Sequence, residues 1–276
     1  IEGNLGWNNP HLRLSEYQGS LRVISTTFTV GDTVSTGDVV SVTCCNYQHG
    51  LHVLQQTGDQ LVEVATLPNT KRPKAIGKPG EDLYAVRFYG ARAYAVTYQR
   101  TDPLYAIDMT DPLDPYLAGE LQMPGFSDYL QPLGDKYLLG VGKESVEQDG
   151  VAYTQGVKIA VFDVSDISMP RLIKQDIIGK RGSYSDVSYD YHALTLLKLP
   201  DTDRYRIVLP VDVHDNTISW GQGLQAYYDW QQTIFRFYDL DLAGESLTNV
   251  GDMLVDTRTT DRTWSQGNLC RSVILG

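Results

Sequence analysis

A chain of 276 residues with 42% hydrophobic content is long enough for one large β domain or two small ones. Its formal net charge of −11 argues against a polyanionic partner such as nucleic acid, which calls for a basic face. No apolar run approaches the ~18 residues needed to cross a bilayer as a helix, so no membrane span is expected.

Residues 1–10 are polar and rich in Gly and Asn, a lead-in that straps onto the first folded unit or stays loose. The chain opens on Ile1 with no visible leader, which reads as a piece of a longer protein. From Leu12 the text LRLSEYQGSLRVISTT alternates β-branched and polar residues around Gln18-Gly19, the pattern of a hairpin. LHVLQQ and LVEVATL supply a third and fourth strand, so a first four-stranded unit spans 12–67. Its middle link, 29–46, is rich in Thr, Ser, Gly and Val and predicts an extra hairpin. A second unit, 83–122, reads LYAVRF, AYAVTY, LYAIDM and YLAGELQ, with Gly, Pro and Asp in the gaps. A third unit, 128–178, has DYLQPLGDKYLLGVGKE, IAVFDV and LIKQDII. A fourth, 184–254, has DVSYDYHALTLLK, IFRFYDL and LTNVGDM. A partial fifth, 262–276, ends in CRSVILG.

The third strand is the clearest repeat. Leu54, Ile107 and Phe162 take equivalent places, 53 and then 55 residues apart. Four short antiparallel strands repeated at this period predict an all-β fold, a β-propeller of four-stranded blades. The count is about four blades plus a partial fifth, either a ring closed by the N-terminal segment or an arc of a larger ring. An open arc leaves pairing edges through which the chain would self-associate.

Two third strands run into nearly the same words, IDMTDPLDP and FDVSDISMP. Asp accepts a hydrogen bond from backbone two residues on and Pro fixes φ, so these carboxylates read as turn residues rather than catalytic acids. The run VRFYGARAYAVTYQRTDPLYAIDMTDPLDPYLAGELQMPGFSDYLQPLGDKYLLGVG, with the entry EYQGSLRVISTT and the later VKIAVFDVSD, resembles the secreted β-propeller-domain family of bacteria and archaea, over nearly the whole chain and most specifically over 82–164. The two turns are also similar to those of LVIVD-type propeller repeats. The resemblance implies the propeller fold, a longer parent chain, and a secreted, periplasmic or cell-envelope location. It brings no catalytic residue with it.

Function is sought in the links. Residues 144–156 lengthen the link between strands two and three of the third unit, and 214–231 lengthen the same link in the fourth. Links of that parity emerge on one face of a blade, as do the connectors between blades, and loops on a rigid scaffold carry function. The connector 68–82 holds Lys71, Arg72, Lys74 and Lys78, which read as a solvated loop or as an anion contact. In 214–231, Trp220, Tyr227, Tyr228 and Trp230 crowd together among Gln and Asp. Flat rings with polar tips suit a carbohydrate or protein partner, or they cover a blade edge; these four are the candidate ligand residues.

Other motifs carry less. Asp212, His214 and Asp215 sit at a strand end without a recognised metal spacing, so no metal site is assigned. Asp239, Asp241, Gly244 and Glu245 hint at calcium but lack the full alternation of oxygen ligands, and a turn accounts for them; no cofactor is predicted. His192 falls on a predicted apolar strand, as a core histidine or a base. GFSDY at 125–129 is not a nucleophile elbow, and GKRGS at 179–183 is not a phosphate loop. Cys44, Cys45 and Cys270 read as buried thiols or as a disulfide between first and last units. The leading expectation is a non-enzymatic binding or scaffold module. The alternative is a hydrolase or lyase at the mouth of the central channel.

Overall fold

The structure is a computed structural model that describes residues 2–6, 9–29, 33–36, 39–42, 46–98, 102–257 and 271–274, with backbone alone for 33–36, 39–42 and 102. The three cysteines lie outside the described residues. Four short 3-10 turns, and no α-helix, interrupt the strands among the described residues, none of which forms a helix long and apolar enough to cross a membrane.

The chain packs as two units, Ile1–Met123 with Asp166–Pro170, and Pro124–Ser165 with Arg171–Gly276. In the first unit, β1 (Leu14–Tyr17), β2 (Ser20–Thr29), β5 (Asn46–Thr57) and β6 (Gln60–Leu67) form one antiparallel sheet. Gln18 and Gly19 both take positive φ between β1 and β2, the turn whose twist matches a two-stranded hairpin. The expected extra hairpin is present as β3 (Thr33–Thr36) paired with β4 (Val39–Val42). A second sheet comprises β7 (Asp82–Tyr89), β8 (Arg92–Tyr98), β9 (Asp102–Asp108) and β10 (Tyr116–Met123), each strand bonded to the next. Ile24, Leu51, Val53, Leu83, Val86 and Ile107 share one core between these two sheets. Two buried arginines cross it. Arg13 donates to Leu83 O at 2.6 Å and to Thr26 Oγ1 at 3.0 Å. Arg22 lies 4.9 Å from the rings of both Tyr17 and Phe88 and donates to Gly90 O. Burial lowers the pKa of both guanidinium groups, but fixed acceptors hold them.

The second unit repeats the plan. One sheet is β11 (Phe126–Leu133), β12 (Tyr137–Gln148), β13 (Val151–Asp163) and β14 (Arg171–Ile178). The other is β15 (Thr195–Lys198), β16 (Arg204–Trp220), β17 (Tyr227–Asp241) and β18 (Ser246–Thr257). These four four-stranded antiparallel sheets have the strand order of propeller blades. Second strands are buried on both faces through their middles, as at Ala93–Thr97 of β8 and Leu138–Gly142 of β12, whereas the fourth strands β6 and β14 are half-exposed. Leu54, Ile107 and Phe162 all lie in third strands, opposite Leu21, Ala93 and Leu138.

The Asp-rich turns behave as turn chemistry requires. Asp108 and Asp111 accept from the backbone of Thr110 and Leu113, and Asp163 and Asp166 accept from Ser165 and Ser168, all at 2.8 to 2.9 Å. Two expectations need correction. The run DVSYDYH is not a strand but two 3-10 turns, Asp186–Ser188 and Tyr191–Ala193, because Ser185 and Asp190 cap them through their side chains. His192 therefore sits on an exposed turn, tilted against Tyr191 and 2.9 Å from Asp190, rather than on an apolar strand. In the basic connector, Lys71 and Arg72 pair with Asp114 at 2.6 and 2.8 Å and Lys74 pairs with Glu120, while the Lys71 and Lys74 side chains stay in solvent, as in a solvated loop. Those bonds hold the Asp114 carboxyl well below the usual carboxylate range. Of the expected fifth unit, 262–270 and 275–276 lie outside the described residues. Arg271–Ile274 joins no ladder; Arg271 pairs with Asp190, and Ser272 O accepts from Thr195.

Candidate functional site

The lengthened links of the second unit are continuations of strands rather than loops. β12 and β13 run on past the core to a turn at Asp149-Gly150, both at positive φ. β16 and β17 run on until Trp220 pairs with Tyr227 across a 3-10 turn at Gly223–Gln225. The two arms touch: Gln155 Nε2 donates to Leu224 O, and Gln225 Nε2 to the Tyr153 hydroxyl, each at 3.2 Å. Within this unit the two insertions thus stand side by side, as matching link parity requires.

The outer arm of β16 and β17 is irregular. Its register shifts after Val213, after His214 and after Ile218. Each shift breaks strict alternation and re-aims the side chains beyond it. Trp220 consequently stands out, 68% exposed, with Tyr227 tilted against it at 6.1 Å between ring centres. Tyr228 lies beneath Lys180, whose Nζ is 4.7 Å from the ring, and Tyr227 beneath the Arg181 guanidinium at 4.4 Å. The Tyr228 N–H donates to Arg181 O at 3.0 Å, which ties the arm to the connector 179–185.

Trp230 is different. It is 1% exposed, and its Nε1–H reaches Thr233 Oγ1 at 3.3 Å, while that hydroxyl donates to Asp212. The expectation that Trp230 is an exposed ring is wrong: the ring is buried, at the register shift between Val213 and His214.

A cavity of about 610 Å³ opens here, walled by the four predicted rings together with Gly182, His214, Ser219 and Asp229. Gly182 has φ of +115°, and a Cβ there would lie 2.8 Å from His214 Nδ1, so only glycine lets the connector pass. His214 Nδ1 donates to Tyr228 O at 2.6 Å, which leaves the lone pair on Nε2. Burial lowers the His214 pKa, so the ring is neutral at pH 7.

The structure does not gather the other predicted groups. Asp212 faces Thr233, His214 faces Tyr228 O, and Asp215 pairs with Lys180 at 2.9 Å. Asp239 binds Arg206, Asp241 accepts from Gly244 N, and Glu245 pairs with Arg171. Among the described residues no three His, Cys, Asp or Glu side chains form a metal-ligand group. Ser127 of GFSDY is buried with no hydrogen-bond partner, so no base attends it.

Similarity places these features in a lineage. A family model described as beta propeller domain matches residues 2–276. The chain belongs to the beta propeller domain family. The propeller is 42% identical over 114 residues to a protein of Methanocaldococcus jannaschii, covering 41% of this chain and 17% of that one. It is 33% identical over 145 residues to a protein of Archaeoglobus fulgidus, covering 52% and 21%. Both relatives are named only as uncharacterized, and the propeller spans about a fifth of their length.

Sequence reasoning missed two parts of this unit. Lys180, Arg181 and Gly182 were visible only as a failed phosphate loop, yet they back the aromatic arm. Asp128 and Lys143 are buried charges of this unit that attract one another through space. Ser188 donates to Asp128 at 2.7 Å and Lys143 donates to Ser183 O. Burial pushes the Asp128 carboxyl up to about 6 and the Lys143 ammonium down to about 8. Neither residue is marked by a motif.

Proposed function

We propose that this propeller is a binding module of the cell envelope whose aromatic arm takes a carbohydrate. The observation that carries the reading is the Trp220 ring, 68% exposed at a cavity of about 610 Å³. An indole left in water at the tip of a strand costs solubility and adds nothing to the core, whereas its flat face matches the C–H face of a sugar ring. Tyr227 and Tyr228 extend the platform. Ser219 and Asp229 add oxygen acceptors for sugar hydroxyls. Arg181 and Lys180, stacked behind the tyrosines, hold those rings in place at little entropic cost.

A glycan array read with the full chain tests the proposal. Binding of a defined glycan should fall roughly 30-fold or more in Trp220→Ala, the loss of about 2 kcal/mol typical of a buried aromatic anchor. Trp220→Tyr should keep part of it. Equal binding by wild type and Trp220→Ala, or no bound glycan at all, refutes the reading. The envelope location is tested by cell fractionation of the parent protein; recovery in the cytosolic fraction would overturn it.

A further inference from the structure

The first unit holds a second constellation, unrelated to the aromatic arm. We propose that Ser25, His52 and Glu63 form a nucleophilic acyl-transfer site that hydrolyses small acyl esters. Ser25 Oγ lies 3.1 Å from His52 Nε2, and His52 Nδ1 lies 2.6 Å from Glu63 Oε1. Nucleophile, base and orienting carboxylate are thus joined in the order that activates a serine hydroxyl.

Strand register explains how three distant residues meet. Val23 pairs with His52 and Ser25 with Gly50, so Ser25 and His52 project from the same face of neighbouring strands. In a regular ladder Glu63 would point to the opposite face, since Thr66 is the residue opposite His52. The shift between Val53 and Leu54 places Glu63 opposite Leu54 and so returns it to the face of His52. Gly50 completes the arrangement. A Cβ there would sit 3.1 Å from His52 Nε2, in the space the imidazole uses to lean toward Ser25.

Proton positions follow from the donors available. A carboxylate only accepts, so the Nδ1–H of His52 donates to Glu63 and the lone pair falls on Nε2. The Ser25 hydroxyl then has two acceptors in reach, His52 Nε2 and Glu2 O at 2.9 Å. The Glu2 carbonyl belongs to a segment seated on β2 by the bridge between Asn4 and Thr26. Ser25 is 4% exposed but borders a cavity of about 550 Å³, walled on its apolar side by Tyr47, Pro68, Ile76 and Pro79. That volume suits a small ester rather than a long acyl chain. The nearby His49 makes an instructive contrast. Its Nδ1 is held by Thr26 Oγ1 at 3.0 Å and its Nε2 by Glu81 O at 2.9 Å, so it is structural.

In the reaction, Ser25 Oγ bonds to the acyl carbon while its proton passes to His52 Nε2. The tetrahedral adduct collapses, the acyl carbon–alkoxide bond breaks, and the Nε2 proton leaves with the alcohol. Water then gives a proton to Nε2 and attacks the acyl-serine. The carboxylic acid departs, and Ser25 recovers its proton from His52. One ester and one water yield one acid and one alcohol, with no change of oxidation state. Glu63 touches no substrate and acts as a positioning residue for the His52 ring.

A fluorophosphonate probe tests the site on the full chain, because it traps an activated serine as a phosphonyl adduct with loss of fluoride. Peptide mass spectrometry should find the adduct on Ser25. Labelling should vanish in Ser25→Ala and fall about a hundredfold or more in His52→Gln, the usual contribution of a general base. Gly50→Ala should slow labelling by crowding Nε2. Glu63→Gln should slow it and shift its pH profile, with Glu63→Asp restoring part of the rate; a merely structural Glu63 would move the melting temperature and leave the profile in place. If a folded wild-type chain carries no adduct on Ser25, or if folded His52→Gln labels at the wild-type rate, the proposal is overturned.

Discussion

Trp220 and Trp230 stand ten residues apart in one hairpin arm, yet they should respond in opposite ways to truncation. Trp230→Ala removes a ring that is 1% exposed and leaves the Thr233 hydroxyl without its indole donor beside a buried Asp212. Truncating a core Trp costs about 3–5 kcal/mol, through lost burial and an unfilled cavity. For a folding unit of this size each kcal/mol lowers Tm by about 2–4 °C, so the fall should be roughly 6–20 °C. Trp220→Ala removes a mostly exposed ring tilted against Tyr227. Its stability change should stay within about 0.5 kcal/mol, or about 2 °C. Thermal unfolding followed by far-UV circular dichroism reads both variants in one experiment. Equal shifts, or a larger one for Trp220→Ala, would refute the assignment of one ring to the core and the other to the surface.

The buried charges give a second prediction. The Asp128 carboxyl titrates near 6 when folded against an ordinary 3.8, so the native state holds the extra proton between those values. Stability should therefore fall as pH rises from about 4 to about 6, by up to about 3 kcal/mol at 1.36 kcal/mol per pH unit. Asp128→Asn should abolish that slope in denaturant titrations; an unchanged slope would contradict it. Lys143, held near 8 against an ordinary 10.5, has the opposite sign, and its contribution should return as pH rises through that window. The edge strand β18 exposes Val250, Met253, Leu254 and Val255. Leu254→Lys should lower concentration-dependent association measured by light scattering, and no change would mean that this edge does not pair.

Local signals made the blades readable. β-branched third strands and Asp-Pro turns state their conformation within a few residues, and Leu54, Ile107 and Phe162 fell where the repeat placed them. The links gave way where distant residues decide. Lys71 and Arg72 look free until Asp114, more than forty residues on, is placed beside them. Trp230 looks like its aromatic neighbours until the register shift between Val213 and His214 is placed beside it and the ring is found buried. DVSYDYH has the composition of a strand, but Ser185 and Asp190 offer the backbone side-chain acceptors that favour 3-10 turns. Ser25, His52 and Glu63 share no motif, and simple alternation places Glu63 on the wrong face; the bulge in β6 that corrects it leaves no composition signal.

The ligand claim of the aromatic arm is tested most directly by the indole ¹H–¹⁵N spectrum of the full chain during titration with an array-identified glycan. The chain has four tryptophans, of which Trp220 and Trp230 lie among the described residues, and substitution assigns each of their indole signals. The account predicts that the Trp220 signal, assigned through Trp220→Phe, shifts to saturation with the binding isotherm. A glycan that binds while the Trp220 signal stays fixed would contradict it.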